Sequence, residues 1–294
     1  MNRKRLWKGG LALAVLLTCV LSWFVLQLDA KSKQGILHEI ENKDTAQSVR
    51  TKEPLEESAE ELPTSTAIQN QEASEIEPTS ETKMDFLVII DPGHQQHANL
   101  EQEPIGPGAT ETKYKVTGGT TGVVTNKPEY ALNLEASFLL QQHLEARGMQ
   151  VILTRTTNDI DLSNRERAEI ANAHEADLFL RIHADGSENT ATKGFSVLVP
   201  AQDNPYTTAI YKKSYQAAIF LIEHVSPTIE LNQSGLFYRS DMSGFNWSKV
   251  PVILPEIGFM TNPEDDQNLS DETYLTNLME LIADGIEAYA HSIQ

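Results

Sequence analysis

Five short apolar runs recur after Met84: "DFLVIID", "MQVILTR", "DLFLRIH", "FSVLVP" and "VPVILPEIG". None alternates apolar with polar positions, so each predicts a strand covered on both faces rather than one with a wet side. Helical patterns separate them. "PEYALNLEASFLLQQHLEARG" starts with Pro128 at the first helical position and stops at Arg147 and Gly148, the usual start and stop signals. "LSNRERAEIANAH" carries Ser163 and Glu166 at capping-box spacing. "YTTAIYKKSYQAAIFLIEHV" and "DETYLTNLMELIADGIEAYAHSI" supply two more helices. Strands alternating with helices predict an α/β fold, a single domain with a mostly parallel twisted central sheet surrounded by helices. The stretch from Gln95 to Lys127, rich in Gly and Thr, reads as a long loop.

The first 84 residues have other patterns. Arg3, Lys4, Arg5 and Lys8 precede the apolar run "LALAVLLTCVLSWFVLQL", which is close to the roughly 20 residues that span a bilayer as a helix. Residues 1–30 therefore read as a cytoplasmic N-terminus and membrane anchor, oriented by the preceding positive charge, with the rest of the chain outside. A cleavable signal segment is the alternative, and both export the remainder of the chain. Residues 31–84, dominated by Glu, Ser, Thr and Pro, hold too little apolar surface to offset the entropy of ordering and read as a disordered acidic linker.

The whole chain has 42 acidic and 23 basic residues and a formal net charge of −19. That is the wrong sign for tracking a phosphate backbone, so nucleic acid is excluded as a partner. The only cysteine, Cys19, lies in the first apolar run, which rules out an internal disulfide and a catalytic thiolate in the domain.

In an open α/β sheet, ligands bind beyond the carboxyl ends of the strands. His94 comes after the first strand and a Pro-Gly turn, His183 ends "DLFLRIH", and Glu256 lies in "VPVILPEIG". Glu129, at the start of the long helix, shares a stripe with Leu132, Ala136 and Leu140 at about 100° per residue, which turns its carboxylate toward the domain. Singly, each has a plain structural reading: a hydrogen-bonded loop histidine, an acid complementing a helix dipole, a cap. Together, two imidazoles and a carboxylate form a catalytic zinc set that leaves one position open, and a second carboxylate is wanted as a base. His94, Glu129 and His183 are thus the expected metal ligands and Glu256 the catalytic acid–base. Asp91 is a candidate acceptor for an imidazole N–H or a strand-end support. His97 is read as a loop residue.

The motifs "IIDPGH", the Glu129 helix, "GMQVILTR", "RIHADGS" and "VPVILPEIGFMTNPEDD" resemble, in order and spacing, the zinc-dependent N-acetylmuramoyl-L-alanine amidase family (Amidase_3 type) from about Phe86 to Ala290. The resemblance implies residues 85–294 as a catalytic zinc amidase domain with one Zn2+. It also implies peptidoglycan as substrate and cleavage of the amide between N-acetylmuramic acid and L-alanine. The domain would face the wall of a bacterial cell, as a single-pass membrane protein or, after cleavage, a secreted one. A zinc peptidase cutting within the stem peptide, or a non-catalytic wall-binding or regulatory module, are the alternatives. Arg181, where relatives carry a small polar residue, and Asn246 are candidate substrate contacts. A separate protein activator is compatible with the sequence.

Overall fold

A computed structural model describes residues 83–294. The expected anchor or signal at 1–30, and the linker up to residue 82, lie outside the described residues. Among the described residues, no helix is long and apolar enough to cross a membrane.

Each of the five apolar runs is a strand: β1 (Leu87–Pro92), β4 (Gln150–Leu153), β5 (Leu178–Asp185), β6 (Phe195–Pro200) and β8 (Val252–Phe259). With β7 (Leu231–Arg239) they form one six-stranded sheet in the order β4-β1-β5-β8-β6-β7. β1 pairs in parallel with β4 and β5, and β5 with β8, while β6 runs antiparallel to β8 and parallel to β7. The helices are α1 (Glu129–Ala146), α2 (Asn164–Ala173), α3 (Tyr211–Val225), α4 (Ser243–Asn246), α5 (Pro263–Leu269) and α6 (Glu272–Ile293).

The continuous hydrophobicity of the central strands comes from their two covers. Val88, Ile90, Leu178 and Leu180 face a core with Leu132 and Leu140 of α1, Leu221 of α3 and Ile282 of α6. The alternate residues Ile89, Phe179 and Leu254 meet Ala168 and Ala171 of α2 and Phe245 of α4 on the other face. Each fully buried Leu, Ile or Phe contributes about 1.5–3 kcal/mol relative to exposure, which explains why no polar alternation is tolerated.

Two expectations change, and one strand is new. Pro128 is the residue before α1, with extended backbone (φ −70°, ψ 143°), rather than its first helical residue; Gly148 does come after the helix at φ 79°. The 95–127 stretch is not simply a loop, because β2 (Asn99–Pro104) and β3 (Thr112–Val116) pair there as an antiparallel hairpin. Their sequences, "NLEQEP" and "TKYKV", are polar because both faces are largely exposed. β7, "LNQSGLFYR", was equally invisible: it is an edge strand with left-handed backbone at Gln233 and Gly235 and an irregular register with β6. The capping box at Ser163 and Glu166 is present with both hydrogen bonds made.

Candidate metal centre

β1 ends at the carboxyl edge of the sheet, and Gly93 N–H there donates to the Ile182 carbonyl of β5 at 2.9 Å. The His183 ring lies directly on the Gly93 backbone: a Cβ at that position would overlap the imidazole, with Nδ1 only 2.6 Å away. Glycine is therefore required by the neighbouring strand's histidine and not only by the turn. His94, the next residue, is in the left-handed region at φ 58°, a conformation uncommon outside glycine.

The His94 ring is oriented by its Nδ1, 2.8 Å from the Thr117 carbonyl. A carbonyl only accepts, so Nδ1 carries the proton and a neutral ring presents its Nε2 lone pair on the other side. That Nε2 lies 3.2 Å from Glu129 Oε1, and His183 Nδ1 lies 3.2 Å from the same oxygen. The two rings meet edge to face, with centroids 4.7 Å apart. One nitrogen from each histidine and one Glu129 oxygen thus fall within 4.8 Å of one another.

Glu129 is the first residue of α1 and is buried. Its Oε2 accepts from Thr120 N–H at 2.8 Å, and its Oε1 from Ala184 N–H at 3.3 Å. Gly119, at φ 77°, leaves room for that carboxylate. Burial alone would raise the Glu129 pKa, but hydrogen bonds from His183 and His94 outweigh it and hold the group well below the usual carboxylate range. Burial pushes the His183 imidazole down to about 4, so this ring is neutral at pH 7. With Nδ1 turned to the Thr117 carbonyl, His94 directs Nε2 at the Glu129 carboxylate, where a cation between the two could draw on both. Two imidazole nitrogens and a carboxylate oxygen are the donor set that zinc takes, and the residues present fit that ion.

Glu256 on β8 stands in register with His183 on β5. It lines the same cleft of about 550 Å³ as His94, Glu129 and His183, and its Oε2 is buried without a hydrogen-bond partner. Burial pushes its pKa well up, and the carboxylates of Asp185 and Glu129 add to this against Arg239 and Arg181. The four expected residues therefore come together at one sheet edge, while His97 is exposed outside the cluster.

The remaining candidates sit elsewhere. Asp91 accepts no imidazole N–H. Its carboxylate is fully buried and takes Arg167 Nη1 and Arg181 Nε at 2.8 Å each, with Thr154 Oγ1. Burial would raise its pKa, yet the two guanidinium charges hold it far below the normal value. Asn246 does not approach the cleft: buried, it accepts from Asn204 Nδ2 and donates to the Ser240 carbonyl, tying two loops together. Arg181 lines not the histidine cleft but an adjacent one, with Lys113, Arg239 and Gly244.

Sequence reasoning missed the framework that holds His94. Arg167 of α2, fully buried, donates to the carbonyls of Pro92 and His94. Arg155, at the end of the "MQVILTR" run, donates to those of Pro92, Gly93 and Tyr130. The available signal was Arg167 sharing a helical stripe with Ala168 and Ala171, a charge where the core-facing side ought to be apolar.

Fold and site together define an α/β domain with a zinc-type His–Glu–His cluster and a buried carboxylate at the carboxyl edge of its sheet. Residues 88–288 match the family model for N-acetylmuramoyl-L-alanine amidase. The chain is 31% identical over 217 residues to the N-acetylmuramoyl-L-alanine amidase Rv3717 of Mycobacterium tuberculosis, covering 71% of this chain and 83% of that one. It is 26% identical over 253 residues to AmiA of Salmonella typhimurium, covering 72% and 79%. Among solved structures it resembles the amidase Ami1 of Mycobacterium smegmatis with a TM-score of 0.65 at 27% identity, over 71% of this chain and 98% of that one. The chain belongs to the N-acetylmuramoyl-L-alanine amidase family, and it is an enzyme of that activity.

Proposed function

We propose that this chain hydrolyses the amide between N-acetylmuramic acid and L-alanine in peptidoglycan with a zinc ion held by His94, Glu129 and His183, and with Glu256 as the catalytic acid–base. The observation carrying the assignment is the convergence of one ring nitrogen each of His94 and His183 with a Glu129 carboxylate oxygen, in one cleft with a buried, unpartnered Glu256 oxygen. Zinc, when bound, supplies Lewis acidity that acidifies water to a pKa of roughly 7 and polarises an amide carbonyl.

The chain's own residues do the rest. Thr117 holds His94 in the tautomer with a free Nε2. The backbone N–H groups of Thr120 and Ala184 fix the Glu129 carboxylate. Glu256, buried and close to the carboxylates of Asp185 and Glu129, has its pKa raised well above the ordinary carboxylate value, and its role is to take a proton from the attacking water and return it to the leaving nitrogen. Supporting the wall as the site of action, the apolar run at residues 11–28 reads as a membrane anchor or export signal, the acidic segment to residue 84 as a linker, and 85–294 as the catalytic part.

The test is digestion of peptidoglycan by the full chain with and without chelator, with zinc added back and the fragments identified by mass. The expected result is chelator-sensitive release of stem peptides that begin with a free L-alanine amine. Cleavage between amino acids instead would make the enzyme a peptidase. If His94→Ala and His183→Ala purify with as much zinc as the parent, the ligand assignment fails.

A further inference from the structure

Arg181 is unusual among the buried residues because its guanidinium is only partly used. It is 2% exposed. Nε is spent on Asp91 at 2.8 Å and Nη2 on Asn164 Oδ1 at 2.6 Å. Nη1 makes no hydrogen bond among the described residues and lies under Gly244, where any Cβ would overlap it. Both residues line a cleft of about 460 Å³ that is separate from the metal cleft. Because Nη1 opens onto this cleft, it is free to donate to a polar group that enters it.

The cleft is cationic beyond Arg181. Lys113 Nζ and Arg239 Nε both bind Asp241, at 2.7 and 2.8 Å, so three basic side chains share the wall with one exposed-edge acid. This occurs in a chain whose formal net charge is −19, so the local sign is reversed. Asn164, which orients the guanidinium, is itself anchored by donating from Nδ2 to the Lys115 carbonyl of β3. The hairpin of β2 and β3 is held against α4 by Trp247 Nε1 donating to the Pro104 carbonyl. The pocket is thus formed by ordered secondary structure rather than by a free loop.

Its position relates it to the chemistry. Thr117 lines both clefts and holds His94. Arg181 precedes His183 by two residues on β5, a separation of roughly 7 Å along a strand, about the span of two extended peptide residues. We propose that this cleft is a subsite for a free carboxylate on the peptide side of the scissile amide, received by Arg181 Nη1, so that the enzyme prefers stems whose second residue keeps its carboxylate over stems in which it is amidated. The inference rests on the amidase reading for the placing of the peptide, while its test does not need turnover.

The probes are L-alanyl-γ-D-glutamate with a free α-carboxylate and the same dipeptide as its α-carboxamide, titrated calorimetrically into the full chain with and without chelator. The expected result is at least tenfold tighter binding of the carboxylate, retained in chelator because the guanidinium and not a metal holds it. Arg181→Gln is expected to abolish the discrimination. Since that change also takes one partner from buried Asp91, Lys113→Gln serves as the second variant, expected to weaken the carboxylate probe alone threefold or more. Equal affinity of the parent protein for the two probes, or a discrimination that vanishes with chelator, overturns the subsite. Release of stem peptides from wall material together with equal probe affinities would sink the subsite and leave the catalytic reading standing. Tenfold discrimination without any release would do the reverse.

Discussion

Replacing Arg167 by Met tests the claim that a buried arginine framework, rather than the turn sequence, holds His94 in place. The guanidinium makes five hydrogen bonds: to Asp91 Oδ1, to Gln95 Oε1 and to the carbonyls of Pro92, His94 and Leu162, at 2.8 to 3.3 Å. Methionine nearly matches the length of the stem and satisfies none of them. Breaking a buried ion pair from one side costs about 3–5 kcal/mol. Arg181 and Thr154 still reach Asp91, and Arg155 still reaches Pro92, so the excess over that range is small. For a domain of this size about 1 kcal/mol moves Tm by about 2–4 °C, and the expected fall is roughly 6–20 °C. The same variant frees the His94 carbonyl, and loss of support behind a metal ligand typically lowers affinity about 10–100-fold. Thermal unfolding monitored by circular dichroism reads the first effect, and competition with a chromophoric chelator for zinc reads the second. A Tm within about 3 °C of the parent together with unchanged zinc affinity would refute the reasoning.

Gly93→Ala places a methyl group into the His183 ring, so the protein is expected to fold and yet to lose zinc, seen as a metal content well under half of the parent's. Glu256→Gln keeps shape and removes the base; zinc should stay bound while turnover on wall fragments falls about 10²–10⁴-fold, and an undiminished rate would take Glu256 out of the mechanism. Asp91 titrates lower in the folded chain than its unfolded value of about 3.9, so its stabilisation is complete above about pH 4 and is lost as pH falls below that. Asp91→Asn should then be less stable than the parent at pH 6 and show a smaller drop in urea midpoint between pH 5 and pH 3. Asp266 holds the loop beside the cleft through Val124 N–H, Thr125 N–H and Thr125 Oγ1; Asp266→Ala should make residues 122–127 newly sensitive to protease while the core Tm changes little.

Much of the architecture was legible because burial on both faces writes itself into a strand as an unbroken apolar run, which is a local property. The five runs, the capping box at Ser163 and the stop at Gly148 belong to this class. β7 and the hairpin of β2 and β3 were not legible, since an edge or exposed strand is selected by pairing partners far away in sequence and needs no apolar signature of its own. Similarly, the grouping of His94, His183 and Glu256 toward the carboxyl side of the sheet, with Glu129 on the inner stripe of a helix, came from period and topology rules; the structure gathers all four, with His183 and Glu256 inside β5 and β8 rather than after them.

By itself the sequence determined the class of fold, the order of its central elements and the residue types able to bind a metal, because each depends on short-range patterning. Only the tertiary structure decided which polar groups meet. Asp91 faces arginines and not an imidazole, because α2 brings Arg167 and β5 brings Arg181 onto the same face of β1. Gly93 is needed for the distant His183 ring, and Arg181 opens into a second cleft because Gly244 leaves space above it. Contacts across such separations depend on how helices pack onto the sheet, and no local pattern of hydrophobic and polar positions encodes that packing.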